Sequence, residues 1–284
     1  MSRARLIALT AFAMIPLAAN SWLCRAALRD TAIDPASFTS LRLLSGALML
    51  WVLLWFSGRL RSAGSGNWPS AFALFGYAAL FSFAYLSLTA ATGALLLFGA
   101  VQVTMIAIGV RQGERLDAVQ LVGVLLAFSG LAILLLPGLS APPLLGAMMM
   151  IGAGIGWGVY SVRGKGAGDP TRVTAGNFAR TVPITLLLSL LLFTERSLDP
   201  IGVGYAVTSG AVTSALGYAL WYSIMPHLPA FSAATVQLSV PVIVAIGGVV
   251  LLREPMTLRL LIASAAVLGG IGLVMLERRR RATR

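Results

Sequence analysis

The chain has 284 residues, 58% of them hydrophobic and only 11% charged. Soluble domains carry roughly 25% charged residues, so this composition describes an integral membrane protein and excludes most soluble enzyme classes. Twenty-one Lys and Arg against nine Asp and Glu give a net charge of +12; placed in short loops and at the C-terminus, these basic residues set membrane topology and call for no nucleic acid. The single Cys24 excludes an intramolecular disulfide or a cysteine metal cluster, and the apolar runs continue to residue 276, unlike a signal peptide ahead of a soluble domain.

About 20 apolar residues cross the hydrocarbon core as a helix, which predicts ten spans at roughly 6–27, 35–57, 69–88, 91–110, 116–137, 144–162, 172–193, 201–225, 231–252 and 256–276. Breaks fall where turn and charge signals cluster, as at Asp34-Pro35, Pro137 to Pro143, Asp199-Pro200 and Arg253 to Pro255. No charge lies between Trp68 and Arg111, a run too long for one crossing, and the small residues of Thr89 to Gly93 are the predicted turn.

Basic residues on alternate sides of these spans number fourteen and five, with Arg42 and Arg180 inside spans. The positive-inside rule then puts both termini in the cytoplasm. Five spans precede Pro137 and five follow Pro143, so the second half enters from the opposite side.

The halves also echo one another. Phe231 to Leu276 falls on Ala91 to Leu136 at an offset of 140 residues without a gap, placing Glu254 on Glu114, Leu261 on Leu121 and Gly270 on Gly130. Phe81 and Trp221 share that offset. We read 1–138 and 142–284 as two inverted five-helix repeats within one all-α transmembrane domain of ten helices, an arrangement whose substrate site lies between the repeats near mid-membrane.

Gly113-Glu114-Arg115-Leu116 and Arg253-Glu254-Pro255-Met256 look like a glycine-glutamate hinge ahead of the last helix of each half. Ala18-Ala19-Asn20-Ser21-Trp22 and Gly156-Trp157-Gly158-Val159-Tyr160 look like matching segments of the first and sixth helices. On these residues the whole chain resembles the drug/metabolite transporter superfamily in its EamA-type ten-helix branch, and within it most the YddG-type exporters of aromatic and other neutral amino acids. The resemblance implies a cavity between the halves, lined by the first, third, fourth, sixth, eighth and ninth helices. The sequence departs from the family at Val240-Pro241, where glutamate-proline is common, and has Ala100-Val101 at the equivalent place in the fourth helix.

All nine acidic residues lie at predicted loops or helix ends. A carboxylate at mid-membrane marks a cation site or proton relay, so its absence favours a neutral or zwitterionic substrate over a cationic drug. Arg42 and Arg180 are candidate carboxylate partners; the alternative for each is that it snorkels or binds backbone carbonyls. His227, between Pro226 and Pro229, is either a proton-coupling group or plain surface. Aromatic stripes recur at Tyr77, Phe81 and Tyr85, at Trp157 and Tyr160, and at Tyr218, Trp221, Tyr222 and Met225. They either pack between helices or line the cavity. The amides Asn20, Gln102 and Gln237 lie within spans, where an unpaired amide is costly and so faces a partner or water. The substrate-binding candidates are therefore Asn20, Tyr77, Phe81, Gln102, Trp157, Tyr160, Tyr218, Trp221 and Gln237.

No metal-binding or nucleotide-binding motif is present, so no cofactor is expected. The function that follows is an exporter in a bacterial-type inner membrane. It is expected to be a secondary carrier working by alternating access on neutral amino acids and related metabolites, aromatic ones among them. Its partners are the lipid bilayer and that small solute. The alternatives are a carrier of another uncharged or lipid-like metabolite, or a non-transporting sensor or assembly factor, for which the loops are short. Without mid-helix paired acids or an activated nucleophile, the chain is not read as an enzyme.

Overall fold

Helices start where acids or amides meet proline. Asp34, Asn67, Asp169 and Asp199 each accept a backbone N–H of the following first turn, and each is followed within two residues by proline, which has no N–H to leave unsatisfied. The computed structural model describes residues 3–58, 65–113, 116–138, 141–164, 168–224, 227 and 236–282. Among the described residues all regular structure is helical. In chain order the elements are α1 (Arg3–Asp30), α2 (Pro35–Phe56), α3 (Trp68–Tyr85), α4 (Ala90–Arg111), α5 (Ala118–Leu135), α6 (Leu144–Gly164) and α7 (Pro170–Leu191). Next come α8 (Pro200–Thr208), a π-helical segment (Ser209–Leu216) and α9 (Gly217–Ile224), then α10 (Ser239–Leu252) and α11 (Leu258–Ala282). Seven of these, α1, α2, α4, α5, α6, α7 and α11, are long and apolar enough to cross a membrane by length and composition.

Two details differ from the sequence reading. The turn between the third and fourth spans lies at residues 86–89, earlier than expected, because the Thr89 hydroxyl accepts the Thr92 N–H and so begins α4. The eighth span is one helical path interrupted by the π segment. Glu114 of the first hinge, Met225 of the aromatic stripe and the start of the ninth span lie outside the described residues.

Lipid tails give helices no hydrophobic reason to associate, so close backbone approach through small residues holds such bundles together. A Cβ on Gly123 would stand 2.6 Å from the Gly270 carbonyl, and one on Gly270 only 2.4 Å from the Gly123 carbonyl. Gly130 meets Ala263, Ala266 and Val267 in the same way. As α5 advances from 123 to 130, α11 retreats from 270 to 263, so the two cross antiparallel. α2 and α7 also run antiparallel, with Ser40 bonded to Ser189 at 2.8 Å and Gly46 against Phe178. α6 is wedged between α3 and α4. Gly152 and Gly156 face Leu80, Ala73 and Tyr77 of α3, while Gly154 and Gly158 face Leu97, Ala100 and Thr104 of α4.

The loop ahead of α2 is bound to the one ahead of α8. Asp34 accepts from the Ser37 N–H at 2.8 Å and the Ser197 N–H at 2.9 Å, and its own N–H donates to the Ser197 carbonyl at 3.1 Å. Burial would raise the Asp34 carboxyl, but these donors outweigh it and hold it below the ordinary carboxylate range. With the folded value depressed, its stabilisation is complete above the unfolded pKa of about 3.9 and fades as pH falls through the lower folded value. Melting in detergent should therefore drop as pH falls below about 4, and Asp34→Asn should reduce that slope. Gly270→Leu should cost about 1–3 kcal/mol through backbone overpacking. Gly272→Ala, where an added Cβ meets nothing within 4 Å, should leave the melting temperature unchanged or raise it.

Candidate substrate cavity and hinge clamp

Where α1, α3, α4, α6 and the π segment converge, they line a partly open cavity of about 30 Å³. That is room for two or three waters, so an amino acid enters only if the walls part. The glycines of α6 deliver Trp157 to its wall. The Trp157 ring lies 4.9 Å from that of Tyr77 and 5.2 Å from that of Tyr218, centroid to centroid. Phe81 lies 5.5 Å from Tyr77. With Asn20 and Gln237, these six expected residues line the cavity together.

The other candidates sit elsewhere. Trp221 and Gln102 are buried but do not line the cavity. Tyr160 stacks behind Trp157 at 5.5 Å and lines a smaller pocket with Ser70, Arg163 and Asn177. Arg180 donates to the carbonyls of Gly176 at 2.8 Å and Ser65 at 3.1 Å, which matches the carbonyl-binding alternative. Arg42 is one layer behind the wall, 2% exposed, with its guanidinium carbon 5.2 and 5.1 Å from the ring centres of Tyr77 and Phe81. His227 is exposed.

Sequence reasoning missed Ser209 and Thr213. The Ser209 hydroxyl donates to Asn20 Oδ1 at 2.5 Å, while the Thr213 hydroxyl donates to the Ser209 carbonyl at 2.7 Å, lies 3.3 Å from Asn20 Oδ1 and lines the cavity. The signal was available in Ser209-Gly210-Ala211-Val212-Thr213-Ser214, a small polar stretch inside an apolar span. In the structure it forms the π segment, a conformation that is rare and frequent at functional sites. Gly210 permits it to lie against α2, since a Cβ there would fall 2.0 Å from the Arg42 carbonyl.

At the Asp30 end of α1, the second hinge forms a clamp. Arg253 takes a left-handed backbone with φ of 53°, the one non-glycine residue among those described to do so, and its turn directs Glu254 inward. Glu254 is 7% exposed and accepts from Arg25 Nε at 2.8 Å and the Ala90 N–H at 2.7 Å. Arg25 Nη1 in turn donates to the Tyr85 carbonyl at 2.8 Å, and Arg29 Nη1 donates to the Leu252 carbonyl at 2.8 Å. One carboxylate thus ties α1, the α3–α4 turn and the end of α10 together on one side of the cavity. None of the described residues lining the cavity is acidic.

Apolar helices, seven of them long enough to span, packed around a small mixed cavity define a multi-pass membrane protein. Residues 144–276 match the EamA-like transporter family. An uncharacterized protein of Pseudomonas aeruginosa is 55% identical over 280 residues, 99% of this chain and 98% of that one. The chain belongs to the family of that protein. The threonine/homoserine exporter RhtA of Salmonella typhimurium is 31% identical over 170 residues, 57% of this chain and 56% of its own, and that of Escherichia coli K12 is 30% identical over the same length. A solved crystal structure superposes with a TM-score of 0.69 over 98% of this chain and all of its own at 21% identity, a likeness of fold alone.

Removing one partner of a buried ion pair leaves the other charge poorly paired; without Arg25, the ion-pair partner that Glu254 keeps is Arg29 Nη1 at 3.8 Å. Arg25→Ala should therefore lower stability by up to about 3 kcal/mol in detergent melts. Adding Glu254→Gln to Arg25→Ala should recover part of that loss, and the difference measures the poorly paired carboxylate.

Proposed function

We propose that this chain is an inner-membrane exporter of neutral amino acids and related metabolites, a secondary carrier that works by alternating access. The observation that carries the reading is the cavity. Aromatic rings, amides and hydroxyls surround it without a carboxylate, which suits a zwitterion with an apolar side chain better than a cation. The similarity to RhtA proteins adds threonine and homoserine to the aromatic amino acids as candidate cargo. Both termini are taken to be cytoplasmic, on the basic-residue bias.

Two inverted five-helix repeats, 1–138 and 142–284, are the proposed architecture. Contacts at the α5–α11 crossing support it. Adding 140 to Gly123 gives Ala263, and adding 140 to Gly130 gives Gly270. The pairs Gly123 with Gly270 and Gly130 with Ala263 therefore exchange into one another, as a two-fold axis requires. The antiparallel crossing fits an axis in the membrane plane. Without an acid in the cavity, transport is proposed to follow the substrate gradient.

Efflux of phenylalanine, threonine and homoserine from loaded proteoliposomes tests the reading. At least one should leave faster than from protein-free vesicles, with little change when a pH difference is imposed. Trp157→Ala and Gln237→Ala should each cut that rate while preserving yield and monodispersity. Normal transport by both variants would remove this cavity as the site.

A further inference from the structure

The hydrogen bonding of Tyr77, a cavity residue, is set from behind. Its hydroxyl oxygen accepts from Arg42 Nη2 at 3.0 Å and from Asn20 Nδ2 at 3.2 Å. A guanidinium can only donate. The Asn20 amide is oriented by the Ser209 hydroxyl, which donates to Oδ1 at 2.5 Å and turns Nδ2 toward Tyr77. With both acceptor positions of the phenol occupied, what remains is its O–H, and Tyr77 donates to no described residue. Tyr77 is 5% exposed and lines the cavity.

Behind it, Arg42 is buried and, among the described residues, pairs with no carboxylate. Its Nε and Nη1 meet no hydrogen-bond partner among the described residues, and its charge lies against the faces of Tyr77 and Phe81. Ring faces offset part of the desolvation of a cation but leave the surroundings net positive. A single oriented O–H donor with an unanswered cation behind it matches an anionic acceptor. We infer that the Tyr77 hydroxyl holds the carboxylate of the cargo, with Arg42 as a positioning residue that turns the hydroxyl outward and supplies the countercharge through it. The assignment to cargo rests on the exporter reading above; the carboxylate site itself does not.

The test uses the purified full chain and reads thermal protection by phenylalanine, by phenylalaninol, which has a hydroxymethyl in place of the carboxylate, by benzoate and by chloride. Wild type should bind phenylalanine about tenfold to a hundredfold more tightly than phenylalaninol, the range for one hydrogen bond to a charged group. Tyr77→Phe keeps the ring and removes only the O–H; it should close that gap and abolish protection by benzoate. The wild-type comparison needs no variant, so equal affinity for phenylalanine and phenylalaninol overturns the inference even if Tyr77→Phe does not fold. A gap that persists in Tyr77→Phe also overturns it. Protection by chloride equal to that by benzoate would give the site to an inorganic anion and overturn the cargo assignment. If benzoate protects only the wild type while no amino acid is exported, the carboxylate site stands and the exporter reading falls. If amino acids are exported equally well by Tyr77→Phe, the exporter reading stands and the carboxylate site falls.

Discussion

Where helix backbones touch, this structure has glycine, and the rest of the arrangement depends on those contacts. In hydrocarbon the drive for association comes from close packing and from polar groups that find each other. Gly123 against Gly270, Gly154 against the Leu97 carbonyl, Gly210 against the Arg42 carbonyl and Gly247 against the Trp22 indole are approaches that any side chain would block. Each also positions something. Gly247 lets the Trp22 ring lie flat and donate from Nε1 to the Val244 carbonyl at 3.0 Å, joining α1 to α10. Gly210 brings the π segment to α2, so that Ser209 reaches Asn20.

The polar groups that these approaches bring together form one layer across the bundle. Ser209, Asn20, Tyr77 and Arg42 come from the π segment, α1, α3 and α2 and are linked hydroxyl to amide to phenol to guanidinium. Such a chain in a low-dielectric interior is strong when each member is satisfied and costly where one is not. The layer and the Glu254 clamp share α1, which carries Asn20 in its middle and Arg25 near its end. They stand five positions apart. A single helix thus carries a residue of the cavity and a residue of the clamp.

Much of this was legible in the sequence because membrane helices are punctuated sharply. Asp-Pro pairs and charged hinges marked starts that the caps of α2, α7 and α8 then took up. Asn20, Tyr77, Phe81, Trp157, Tyr218 and Gln237 stood out as polar or aromatic groups inside apolar runs, and they meet at the cavity. Arg42 and Arg180 looked alike in sequence, both being cations within spans. What separates them is tertiary: backbone carbonyls stand within reach of one and aromatic faces within reach of the other. The layer's hydroxyls were hidden for another reason. Serine and threonine are common in membrane helices, where they bond their own backbone, as Thr104 does to the Ala100 carbonyl at 2.7 Å. Taken singly, Ser209 looks like any of those; only the run Ser209 to Ser214, small and polar inside an apolar span, sets it apart.

The π segment has a consequence for how the eighth span can move. A π turn holds more residues than an α turn, so it is an insertion kept in place by its surroundings. Should Ser209–Leu216 tighten to α-helix, every residue after it must turn about the axis together. Tyr218 would leave its place beside Trp157, and Ser209 and Thr213 would separate from Asn20. α3, the helix placed opposite by the 140-residue offset, runs from Trp68 to Tyr85 as α-helix alone. One wall of the cavity is thus a plain α-helix, and another carries a segment of different winding.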